Sequence, residues 1–503
     1  MPARFRYKQR FSPALATMAL CPALALGSLK DDVGFTALAE SLGANLPDGS
    51  GVAVFHVEAT SGGNWVADSS NGEFSGKTIV QLSTLSPAPS NHATNVGKLF
   101  YGNSSSLSPN IIDIGSYQVE DWVNVQLASG LTPALTNRRI ANHSWVDDGT
   151  IDLGVAAQIF ALSDWYSDND ELIQVFGSNN NESLLPSADR ALMASSYNGI
   201  VAGVSDGTHS LGVVAVDAIY VGGRAPVHLV SPASTTSRAA PTIASAAALL
   251  ISAAQSNTGW SQSSTLNRLG TTIYNAERTE TIKAALMAGA ARSTNNTTAQ
   301  GNIVDYRYHT SQQTDNGLDW RYGAGQLNVN NSYAILEAGE KSSIEDGGSN
   351  NIGFTGFDHN EAFGGSQSNE DIAIYDLGTT TKSKDLTVSL VWNLDVSSAN
   401  NFSNPATLYN IDLELFDVDS ATVVASSTSS IDNSENIWFT LEPNTRYQLR
   451  VSKAASQSNF NFDYSIAWLE SAPTIIINVP LPPLATFGLL FTLSLLYRYR
   501  KTV

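Results

Sequence analysis

The chain has 503 residues, with 27 Lys plus Arg against 46 Asp plus Glu, a single Cys and a formal net charge of −19. One cysteine excludes a disulfide framework, and 38 Gly and 18 Pro without a repeat exclude a collagen. The length calls for two or three domains with cores of their own, and the excess of carboxylates repels phosphate, so no nucleic-acid partner is expected.

Residues 1–27 read as a signal peptide. Arg4, Arg6, Lys8 and Arg10 precede an apolar stretch from Phe11 to Leu26, which holds the sole Cys21 and the small residues Ala23 and Ala25. From 28 to 341 short apolar runs alternate with helical periods, as in an α/β domain with a parallel sheet. Within it Gly51 to Val57 and Ile200 to Val204 read as buried strands. Pro241 to Ala254 and Thr279 to Ala291 read as helices. Residues 342–366, rich in Gly, Ser, Asn and Asp, read as a linker.

Over 367–470 the pattern changes to alternation. It predicts strands at Asp385 to Asn393, Ile411 to Asp417, Thr422 to Ser426, Ile437 to Leu441, Tyr447 to Val451 and Asp463 to Trp468, hence a β-sandwich. The same alternation assigns Trp392, Trp438 and Trp468 to its core rather than to a sugar-stacking surface. Residues 471–503 hold Val479-Pro-Leu-Pro-Pro483, a 14-residue apolar run from Leu484 to Tyr497, and a basic end of Arg498, Arg500 and Lys501. That run is shorter than the roughly 20 residues that span a bilayer comfortably. With its flanks it predicts membrane contact through the C-terminal tail.

Three segments carry chemistry. Ser234-Thr-Thr-Ser237-Arg-Ala-Ala-Pro241 opens a helix of small residues, so the Ser237 N–H and the positive helix end can face a developing anion. A serine in that place can equally be a cap. Gly51-Val-Ala-Val-Phe-His-Val-Glu58 ends a buried strand on a carboxylate, and Ser90-Asn-His92-Ala-Thr-Asn-Val-Gly97 opens a helix on an imidazole. A hydroxyl, an imidazole to take its proton and a carboxylate to orient the imidazole are the parts of a nucleophilic triad. His56 shares a strand face with Glu58 but cannot supply negative charge, and is read as core or support.

In the order acid, histidine, serine, these segments resemble the subtilisin-like serine proteases, the subtilases, over about residues 48 to 336. The resemblance implies a subtilisin-like three-layer α/β fold, a parallel sheet with helices on both faces, followed by the β-sandwich domain. It implies Ser237 as nucleophile, His92 as general base and Glu58 as the acid, where an Asp is usual. In Leu172 to Asn181 it implies an oxyanion-hole amide at Asn179, with Asn180 as the alternative. It makes Asn142 and Ser144 the strand edge that binds an extended substrate. Thr235 stands where the family pattern has glycine, and Arg238 where it has Met or Phe.

The tail resembles bacterial C-terminal sorting tails removed by a sorting enzyme, which implies export to the cell surface or medium. The expected function is thus an exported endopeptidase acting on protein or peptide substrates through an acyl-enzyme. No cofactor is required for that chemistry and no metal ligands are assigned. Calcium is left open at Asp164 to Glu171 and Asp417 to Asp419, which otherwise read as solvated acidic surface. The competing expectation, resting on Thr235 and Arg238, is an inactive surface protein that binds extended peptides or polymers.

Overall fold

Short apolar runs in the first half of the chain build a seven-stranded sheet of β1 (Val54–Glu58), β2 (Thr78–Gln81), β3 (Asp113–Gln118), β4 (Ile140–His143), β5 (Ile173–Gly177), β6 (Ile200–Val204) and β7 (Leu229–Ser231). Its order is β2-β3-β1-β4-β5-β6-β7, and every pairing is parallel. The computed structural model describes residues 28–127, 130–147, 151–180, 192–225, 227–298, 300–364, 371–454, 457 and 462–473. The signal expected at 1–27 and all but the first three residues of the expected tail lie outside the described residues.

Successive strand residues point to opposite faces, and the cores divide accordingly. Val54, Ile140, Ile173 and Val175 enter one apolar cluster, whereas Phe55, Val57, Ala141 and Phe176 enter another. The first is covered by α3 (Asn91–Tyr101) and α6 (Thr236–Ser256), the second by α5 (Leu153–Asp170). This is a three-layer α/β fold with helices on both faces. Short helices α1 (Leu29–Asp32), α2 (Phe35–Leu42), α4 (Val119–Asp121) and α8 (Val329–Glu337), with the ribbon of β8 (Ser264–Leu266) and β9 (Thr272–Tyr274), lie around it. Every residue of α6 from Ala239 to Ala254 is buried. It is the one helix among the described residues long and apolar enough to cross a membrane, and it lies in the core.

The second half forms two four-stranded antiparallel sheets, β10-β17-β12-β15 and β11-β16-β13-β14. The strands are β10 (Thr355–Phe363), β11 (Ile372–Thr379), β12 (Lys384–Val391), β13 (Ile411–Asp417), β14 (Thr422–Ser427), β15 (Ser434–Leu441), β16 (Arg446–Lys453) and β17 (Phe462–Ser471). Trp392 and Trp468 are fully buried in the core of this sandwich, and Trp438 packs on Tyr306 of the α/β layer.

The expected linker needs correction, because β10 falls inside it. Its pattern is hidden by buried polar residues that find polar partners. Asp358 accepts from Tyr375 Oη at 2.6 Å, His359 Nδ1 meets Ser465 Oγ at 2.9 Å, and Asn360 Nδ2 donates to Asp346 at 2.7 Å.

The two halves share a core. Helix α7 (Thr279–Ala288) is buried at all ten positions, Glu280 and Lys283 included. It lies between the α/β layer and strands β12 and β17 of the sandwich. Phe357, Val391, Ala467 and Leu469 from the sandwich join the same apolar cluster as Ile282 and Leu286. Thr281 Oγ1 meets Ser465 Oγ at 2.7 Å, Thr387 Oγ1 donates to the Ala288 carbonyl at 2.6 Å, and Arg278 pairs with Asp463 at 3.0 Å.

Candidate active site

Strand β1 ends on Glu58, and the period of two puts His56 and Glu58 on the face covered by α3. Ser90 caps α3, its Oγ accepting from the Ala93 N–H, which sets His92 in the first turn. His92 Nδ1 and Glu58 Oε2 are 2.7 Å apart; the carboxylate is 1% exposed and the imidazole 46%. The other oxygen, Oε1, lies 2.9 Å from His56 Nε2, and His56 Nδ1 lies 2.9 Å from Tyr101 Oη. Burial pushes the Glu58 carboxyl up, but hydrogen bonds from both imidazoles and their charge outweigh it and hold it below the ordinary carboxylate value. The bond to Glu58 raises His92 above its ordinary value, against the effect of burial.

Helix α6 starts at Thr236, after Thr235 in extended backbone with φ −154° and ψ 154°. Any L-residue adopts that conformation, so threonine is unstrained where the subtilase pattern has glycine. Arg238 and Ala239 donate to the Thr235 carbonyl, and the Thr236 N–H donates to Asn180 Oδ1 at 2.7 Å. Among the described residues nothing accepts the Ser237 N–H, one of the unsatisfied donors of a helix start. Pro241 has no N–H to return to the Ser237 carbonyl. The Ser144 hydroxyl donates to that carbonyl instead, at 3.2 Å, and in turn accepts from Asn142 Nδ2 at 3.0 Å. The Ser237 hydroxyl donates to the Ser144 carbonyl at 3.4 Å. Among the described residues no hydrogen bond joins it to His92.

The two asparagines separate clearly. Asn180 is exposed, and Thr236 anchors its Oδ1, which leaves Nδ2 without a protein partner among the described residues. Asn179 is 7% exposed and points its backbone carbonyl at the Ser210 N–H, 2.9 Å away. Asn180 is thus the one whose side chain is seen to meet the start of α6.

Two expectations are corrected. Asn142 lies within the sheet, paired with His56 of β1 and Val175 of β5, so its main chain is no free edge for an extended segment. Ser144, just past the strand, is engaged with Ser237. The run Asp164 to Glu171 is not solvated surface. Asp164 is buried under the Tyr197 and Asn198 N–H groups and the hydroxyls of Ser196 and Tyr220, Asp170 pairs with Arg268, and Glu171 pairs with Arg278. Among the described residues no group of three or more His, Cys, Asp or Glu side chains is arranged to hold a metal ion.

Two relations escape a reading of the sequence. Tyr101 reaches the β1 face from the last residue of α3. Only Gly97 hints at it, since a Cβ there would lie 2.6 Å from the Tyr101 hydroxyl. Pro241 and Ser144 form a pair whose relation only the fold reveals.

No protein-family model and no curated protein matches the chain. Among solved structures, the PatG macrocyclase domain aligns at 13% identity over 60% of this chain and 95% of that one, with a TM-score of 0.37. A cold-adapted subtilisin-like serine proteinase aligns at 16% identity over 50% and 85%, with a TM-score of 0.31. The pre-peptidase C-terminal domain of a collagenase from Bacillus anthracis aligns at 14% identity over 24% and 93%, with a TM-score of 0.17. Scores this low decide nothing about function, and the residue geometry stands by itself.

Proposed function

We propose that the chain is a subtilisin-like serine endopeptidase with a Ser237, His92, Glu58 triad. The observation that carries this reading is the buried Glu58 carboxylate 2.7 Å from His92 Nδ1. That bond leaves the Nε2 of a neutral His92 as the proton acceptor a serine nucleophile needs. In the proposed reaction Ser237 Oγ turns from the Ser144 carbonyl to His92, attacks the scissile carbonyl and passes its proton to Nε2. Glu58 stabilises the imidazolium. The oxyanion is received by the Ser237 N–H and Asn180 Nδ2, donors without a partner among the described residues. His92 then protonates the leaving amine, and water, deprotonated by the same imidazole, releases the acyl group.

Protein or peptide substrates, export through the signal and sorting-type tail, and independence from cofactors belong to the same proposal. The test is covalent labelling of the whole purified chain with a fluorophosphonate probe, with Ser237→Ala as control and peptide mapping of the adduct. Stoichiometric labelling at Ser237 is expected. A folded chain that takes up no probe sinks the peptidase reading in favour of an inactive peptide-binding scaffold.

A further inference from the structure

Glu58 has two oxygens and two imidazole partners, and only one of those partners belongs to the triad. His56 is buried at 1% exposure, yet both its ring nitrogens are engaged: Nε2 with Glu58 Oε1 at 2.9 Å and Nδ1 with Tyr101 Oη at 2.9 Å. A carboxylate only accepts, so Nε2 carries a proton. The tautomer then turns on Tyr101. Burial, and next the Glu58 charge, raise the phenol far above its ordinary value, so it keeps its proton and is available as a donor to Nδ1. Resting on the triad reading, we propose that His56 is a positioning residue: an imidazole, fixed by Tyr101, that holds one oxygen of Glu58 so that the other oxygen serves His92.

The titratable groups that face His56 come from three elements. They are Glu58 on its own strand, Tyr101 and His92 on α3, and His143 at the end of β4, which burial pushes down to about 3 and thus keeps uncharged. Glycine at 97 allows the arrangement. A Cβ there would stand 2.6 Å from Tyr101 Oη, 2.9 Å from its Cζ and 3.1 Å from Phe74 Cζ, so any side chain drives the hydroxyl away from His56.

The experiment uses the whole chain, first shown to react with the fluorophosphonate at Ser237. Failure at that step refutes the triad reading and is seen before any His56 variant is made. The readout is the pH dependence of the labelling rate and of kcat/KM on a peptide substrate for His56→Phe, His56→Gln, Tyr101→Phe and Gly97→Ala. A hydrogen bond to a charged group, once removed, is expected to slow His56→Phe by about 10–100-fold, in kcat rather than KM.

Without the His56 donor the Glu58–His92 pair holds its proton more tightly, whichever of the two carries it. The acid limb of the profile therefore moves to higher pH. His56→Gln, whose amide can still donate to Glu58, is expected to recover most of the rate. Tyr101→Phe and Gly97→Ala should move the limb the same way by less. A folded His56→Phe with an unmoved acid limb and a rate within about twofold of wild type overturns the proposal. If His56→Phe fails to fold, an unmoved limb in Tyr101→Phe does the same.

Discussion

Glu58→Gln separates the two services the carboxylate performs for His92, its orientation and its charge. Glutamine offers one acceptor and one donor where Glu58 offers two acceptors. The carbonyl can stay on His92 Nδ1 while the amide faces His56 Nε2, provided the His56 proton moves to Nδ1 and the Tyr101 hydroxyl accepts it. Orientation then survives and only the charge is lost. With a donor–acceptor distance of 2.7 Å the charge centres of the ion pair lie about 4 Å apart, worth about 4 kcal/mol at an effective dielectric constant near 20. The imidazole is 46% exposed, and solvent screening reduces this to about 3 kcal/mol, or about 10²–10³ in kcat. The acid limb should also fall toward 6.5, the ordinary imidazole value, because the bond that raises His92 has lost its charge. Stopped-assay kinetics against pH, with circular dichroism as the fold control, measure both. Activity within threefold of wild type, or an acid limb that stays in place, would refute the assignment of Glu58.

Asn180→Ala is expected to lower kcat by about 10²–10³ with little change in KM, while Asn179→Ala should cost less than tenfold; steady-state kinetics on one peptide compare the two. Burial, with the Asp463 and Glu171 charges, pushes Asp168 up to about 8. The folded chain thus holds this proton more tightly than the unfolded one, and stability falls as pH rises from about 4 to about 8. Asp168→Asn should therefore melt higher than wild type at pH 8 and no higher near pH 4, as read by differential scanning calorimetry. A chain cut after residue 345 strips the sandwich from the wholly buried α7 and is expected to lack near-ultraviolet circular dichroism and to aggregate, whereas the whole chain does neither.

The features most visible in the sequence are those written in local pattern. The run Val-Ala-Val-Phe-His-Val before Glu58, the alanine-rich stretch after Pro241 and the alternating strands β13 and β16 each bury what their periods say they bury, whereas β12 is buried on both faces because α7 packs against it. β10 was hidden because Asp358, His359 and Asn360 are buried against polar partners rather than apolar ones, which erases the alternation a strand is read by. Among three adjacent asparagines a motif can mark only the turn. The choice of Asn180 depends on which carboxamide meets the Thr236 N–H, a contact between residues 56 apart in the chain. Asn142 misled for a related reason: a strand's sequence does not tell whether neighbours flank it on both sides, and β4 is interior to its sheet. The Tyr101, His56, Glu58 chain needed a helix end and a strand end brought into register.

The burial of α7 against β12 and β17 also bears on when the protein can become whole. β17, which ends at Ser471, is an interior strand, with β10 on one side and β12 on the other. A chain that emerges N-terminus first exposes Ser237, His92 and Glu58 long before β17 arrives, and until then α7 lacks one of its two walls. The order of emergence therefore acts as a clock, in which the proposed triad comes from parts released early and the shared core is closed by a part released late. A shuffled chain with its sandwich strands moved ahead of residue 28 would lose that delay while keeping every contact.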